Sequence, residues 1–112
     1  MTEPPRLRGI ELRYVLTNYL ALHGDRTVAE LVAGLERLGF VIVGRPSKAV
    51  SDALRWEVKL GRVRRRGRAL YGPGSAPRAT EWRIDRRVME LREQALPHRP
   101  QPAPVGSRWL FD

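Results

Sequence analysis

The stretch Arg45 to Gly74, RPSKAVSDALRWEVKLGRVRRRGRALYGPG, decides the fold because its two halves have different periods. In the first half Val50, Ala53, Leu54 and Val58 recur at three and four. Lys48, Ser51, Asp52, Arg55 and Lys59 fall on the opposite side, which predicts an amphipathic helix. Gly61 ends it. In the second half, alternation of period two turns Val63 and Leu70 inward and Arg62, Arg64 and Arg66 outward. With a turn centred on Gly67, this predicts a β-hairpin. Arg65 shares the face of Val63, and a core beneath it would bury an unpaired charge, so the hairpin tip is expected to stand clear of the body.

Working outward, Leu7 to His23 places Leu12, Val15, Leu16, Tyr19 and Leu20 at helical spacing, with Gly24 as the stop. Thr27 followed by Glu30 is a capping box. It opens a second helix that carries Val28, Leu31, Val32, Leu35 and Leu38 on one face and ends at Gly39. The run FVIVGRPS after it is too short for a helix and reads as a buried, partly extended connection. Beyond the hairpin, GPGSAP has the composition of a linker. Thr80 or a neighbour then starts a fourth helix with the stripe Ile84, Val88, Leu91 and Ala95, stopped by Pro97. That helix is expected to lie back on the body, burying Trp82 or Trp56, or else to meet a second copy of itself. A proline-rich segment follows, ending in SRWLFD, where Trp109, Leu110 and Phe111 make an apolar terminus suited to folding back or to engaging a partner. The expected plan is an arm over 1–8, a domain over 9–74, a linker and fourth helix over 75–96, and a tail over 97–112.

At 112 residues the chain has room for one core, and its 42% hydrophobic and 7% aromatic content makes that core chiefly aliphatic. No cysteine is present, so disulfides, thiolate zinc sites and thiol nucleophiles are excluded. The two histidines stand apart, and no metal site is expected. We find no paired acid and base, no activated nucleophile and no phosphate-binding glycine loop, so neither an enzyme nor a cofactor is expected. Glu81 and Asp85, with Arg78 and Arg83 nearby, read as intrahelical ion pairs. The start MTEPPRLRG has no charged-then-apolar leader and no apolar run suffices to span a membrane, which implies a cytoplasmic protein. The formal net charge of +9 is concentrated in the five arginines among positions 62–68, whose mutual repulsion calls for an anionic partner.

The order helix, capped helix, helix and arginine-rich hairpin resembles the winged helix-turn-helix of small actinobacterial DNA-binding proteins. TVAELVAGLERLGF, RPSKAVSDALRWEVKLGRV and RRRGRALYGPG carry the resemblance. It implies an α+β winged helix-turn-helix with an extra C-terminal helix and an extended tail, and a short strand near Arg26 to Val28 completing a three-stranded sheet. It also implies double-stranded DNA as partner, a place in the nucleoid, and a role as transcription regulator or nucleoid-associated factor. The third helix would then present Arg45, Lys48, Ser51, Arg55 and Lys59 to the major groove, with Arg45 and Lys48 beside the free N–H groups of its first turn. Asp52 would orient Lys48 or Arg55. The wing, Arg62, Arg64, Arg65, Arg66 and Arg68, would grip phosphate. Trp56 is expected to pack against another helix and Tyr71 to touch the sugar–phosphate chain or close the sheet edge. The alternatives are an adaptor that uses the domain as a scaffold, with the fourth helix and Trp109 to Phe111 engaging a protein or a second copy, and an RNA-binding winged helix.

Overall fold

The capping box at Thr27 forms as the spacing requires. Glu30 N–H donates to Thr27 Oγ1 at 3.1 Å and Thr27 N–H donates to Glu30 Oε1 at 2.8 Å, fixing the start of α2 (Val28–Arg37). In this computed structural model, which describes residues 3–100, α2 is one of four α-helices in an α+β fold. The order is β1 (Arg6–Leu7), α1 (Gly9–His23), β2 (Arg26–Thr27), α2, β3 (Val41–Ile42), α3 (Pro46–Lys59), β4 (Val63–Gly67), β5 (Leu70–Pro73) and α4 (Arg78–Ala95). A 3-10 turn, Leu96–His98, follows. The terminal Trp109, Leu110 and Phe111 lie outside the described residues.

The strands make two small sheets. β2, β5 and β4 pair antiparallel in that order, with Arg26 opposite Tyr71 and Thr27 opposite Leu70, so the strand expected near Arg26 closes a three-stranded sheet. The second sheet ties down the segment before α1. β1 pairs parallel with β3, Val41 N–H donates to Pro5 C=O, and Leu7 is wholly buried, so α1 starts at Gly9 and not at Leu7. A leucine of this size gains about 2 kcal/mol from leaving water, which explains why the chain before α1 docks.

One core collects the helical stripes. Leu12, Val15, Leu16 and Leu20 of α1 join Leu31 and Leu35 of α2, Val50 and Leu54 of α3, Phe40 and Ile42 around β3, and Val63 of the hairpin. α4 lies in cis against α1 and buries Ile84, Val88, Leu91 and Ala95, the expected stripe. Gly39 makes that docking possible. It follows α2 with φ +95°, and a Cβ there would come within 2.2 Å of the carbonyl oxygen of Ala95 at the end of α4.

Three expectations about side chains fail. Val58 is exposed, and Glu57 takes the buried place beside Val50, Ala53 and Leu54. Trp56 and Trp82 are both more than half exposed, so neither lies under α4. Asp85 accepts a hydrogen bond from Asn18 Nδ2 of α1 at 3.0 Å and makes no intrahelical ion pair, because α4 runs beside α1 at that point.

Candidate nucleic-acid interface

Of the charged residues on α3, Lys48, Asp52, Arg55 and Lys59 follow the spacing four, three, four and therefore share one solvent-facing side. Asp52 stands between two cations as expected. Lys48 Nζ donates to its Oδ2 at 2.8 Å, and Arg55 Nη1 approaches its Oδ1 at 3.9 Å. The hydrogen bond from Lys48 holds the Asp52 carboxyl below its ordinary range. Arg45 is exposed at the N-cap, where Pro46 in the first turn removes a donor that helix geometry leaves unpaired anyway. Ser51 is half-buried at the side of this face.

Trp56 borders the same face. Lys59 Nζ lies 5.0 Å and Arg13 Cζ 5.7 Å from its ring centroid, and the ring lines a shallow surface hollow together with Lys48, Asp52, Arg55 and Lys59. An indole with cations on it and open to solvent offers a stacking or apolar surface amid positive charge.

The hairpin distributes its five arginines unequally. Arg64, Arg65, Arg66 and Arg68 are exposed. The strict alternation expected of the first strand breaks at a bulge between Arg65 and Gly67, so Arg66 has no partner across the ladder. Arg66 turns toward Asp25, with its Nε 3.7 Å from Oδ1, and Gly72 leaves the room: a Cβ there would lie 2.0 Å from Asp25 Oδ1. The chain reverses at Arg68 and Ala69, one residue later than expected, and Ala69 carries the positive φ of 53°.

Arg62 is a correction to the expected wing. Its side chain is only 13% exposed, and its fork clamps the buried Glu57, with Nε 2.8 Å from Oε1 and Nη2 2.7 Å from Oε2. Arg13 Nε and Thr17 Oγ1, both of α1, donate to the same carboxylate at 2.9 and 2.5 Å. Burial pushes the Glu57 carboxyl up, but the bonds from Arg62, Thr17 and Arg13 outweigh it, so the group is held below its ordinary value and stays charged. Arg62 in turn is held more firmly protonated by Glu57. The cluster ties α1, α3 and the start of β4 together, which fixes the basic hairpin relative to the basic face of α3.

Glu57, Arg13 and Thr17 were not legible as site-forming residues from charge alone. The available signal was periodic: Glu57 continues the series Val50, Ala53, Leu54 at the next buried step, where an ionised group needs partners from elsewhere in the fold. Among the described residues no three His, Asp or Glu side chains gather as a metal-ligand set, and no helix is long and apolar enough to cross a membrane. Comparison with protein-family models, curated proteins and solved structures finds no match to this chain.

Proposed function

We propose that this chain is a non-enzymatic, duplex-DNA-binding winged helix, with α3 in the major groove and the β4–β5 hairpin as a wing on the neighbouring phosphates. The observation that carries the reading is the division of the arginines. One of the run, Arg62, is used internally on Glu57, while Arg64, Arg65 and Arg68 are exposed on the hairpin whose first strand packs against α3, the helix that carries Lys48, Arg55 and Lys59. The element order and the sheet order β2–β5–β4 also support it. In this arrangement Arg55 and Lys59 have the reach and donors for guanine O6 and N7. Arg45 and Lys48, at the N-terminal end of α3, hold a phosphate, and Trp56 lies against a sugar or a thymine methyl. The wing supplies attraction without reading sequence, so specificity rests on α3. A transcription regulator or a nucleoid-associated factor would use these parts in the same way.

The test is a salt-titrated binding assay on a random duplex library, with single strands and structured RNA as competitors. Affinity for duplex is expected to fall with salt at a slope of about −0.9 per neutralised phosphate. Replacing Arg64, Arg65 and Arg68 by alanine should flatten that slope by roughly 2 to 3. Duplex affinity that does not respond to salt, or preference for RNA over duplex, would refute the assignment.

A further inference from the structure

The face of α4 turned away from the body is also patterned. Trp82, Met89 and Leu96 are 62%, 64% and 56% exposed and stand seven residues apart. Arg86 and Glu93, both exposed, fall between them. Leu96 keeps helical dihedrals, φ −51° and ψ −45°, so it continues the row. At about 100° per residue these five positions fall on the side of the helix away from the docked stripe Ile84, Val88, Leu91 and Ala95. A helix with one apolar stripe already buried in cis therefore carries a second one in water.

We propose that this second face is a two-fold interface between two copies of the chain, packed with their α4 helices antiparallel. The order along the row, Trp82, Arg86, Met89, Glu93, Leu96, is what selects a copy of itself. Reversed and laid on itself, it sets Met89 against Met89 on the axis, and Trp82 against Leu96 and Arg86 against Glu93 off it, each of these two contacts occurring twice as a two-fold axis requires. A parallel pair would set arginine on arginine and glutamate on glutamate. Arg86 already lies over the Trp82 ring, with Cζ 5.1 Å from its centroid, so the guanidinium is held at the row and not turned to the side. Three large apolar side chains per copy make a small interface, and the association is correspondingly concentration-dependent. It requires no nucleic acid and stands apart from the proposed function. Where both hold, the dimer carries two basic surfaces related by a two-fold axis and suits inverted-repeat DNA.

Sedimentation equilibrium of the full chain without nucleic acid, from about 1 µM to about 1 mM, tests this over the range in which small interfaces exchange. The mass should rise from 12.8 kDa toward twice that value. Arg86→Glu and Glu93→Arg should each weaken self-association by about tenfold or more, because like charges then meet across the axis. An equimolar mixture of the two variants should recover it, as should the double exchange in one chain, which no loss of folding can imitate. Met89→Glu, which places two carboxylates on the axis, should abolish it with the circular dichroism unchanged. A wild type that stays at 12.8 kDa throughout, its face left wet or covered by its own residues 107–111, overturns the proposal. Single variants that associate like the wild type, or a mixture that fails to recover, also overturn it.

Discussion

Replacing Glu57 with glutamine keeps the side chain's volume and one carbonyl acceptor but removes the charge that Arg13 and Arg62 face. Breaking a buried ion pair by removing one partner costs about 3–5 kcal/mol. Here the Arg13 and Arg62 side chains retain 22% and 13% exposure, so water can reach them in part, and the amide keeps some of the hydrogen bonding. We therefore expect a loss of about 2–3 kcal/mol at pH 7, from a domain whose total stability is on the order of 5–15 kcal/mol. Thermal unfolding followed by circular dichroism should show a midpoint lower by roughly 10–20 °C. The folded-state carboxyl titrates below its ordinary value of 4.5, so its contribution is complete above that pH and is lost as pH falls through the folded value. The gap between wild type and Glu57→Gln should therefore narrow in acid. Because Arg62 acts through the same carboxylate, combining Glu57→Gln with Arg62→Met should cost less than the sum of the single changes. A loss under about 0.5 kcal/mol at pH 7, or a gap that persists unchanged in acid, would refute the view that this cluster locks the hairpin to α3.

Arg62→Ala and Arg64→Ala should separate two kinds of arginine: the first should lower the unfolding midpoint, and the second should leave it within a degree or two while weakening duplex binding in a filter or anisotropy assay. Gly39→Ala should cost at least about 2 kcal/mol in denaturant titration, since it combines a positive φ with a clash against the Ala95 carbonyl. Leu91→Ala, at a 3% exposed position of α4, should cost about 2–5 kcal/mol in the same titration, whereas an α4 that docked only loosely would lose far less. Arg55→Ala should relax sequence preference in a selection from random duplexes by roughly 1–3 kcal/mol if the guanidinium holds a guanine bidentately.

Features set by short-range spacing were legible before any coordinates. The Thr27–Glu30 cap, the stripes of α1, α2 and α4 and the hairpin after Gly61 each depend on residues within a turn or a few strand positions of one another. The errors fall where a competing long-range contact decides. Trp56 beside an apolar stripe looked like a packing residue, but the core beneath α3 is filled by Val50, Ala53 and Leu54, and Arg13 and Lys59 keep the indole at the surface. The bulge at Arg66 was hidden because alternation has no way to signal an unpaired residue until the partner strand's register is fixed.

The arginine run shows the division most clearly. By itself the sequence determined that positions 62–68 form a basic hairpin following an amphipathic helix, because helix and strand periods are local properties of the chain. Which arginine is spent on the fold and which are left on the surface was decided only when α1 brought Arg13 and Thr17 to Glu57, 44 and 40 residues away. A buried carboxylate must be paired where it lies, and no local pattern records what will lie beside it.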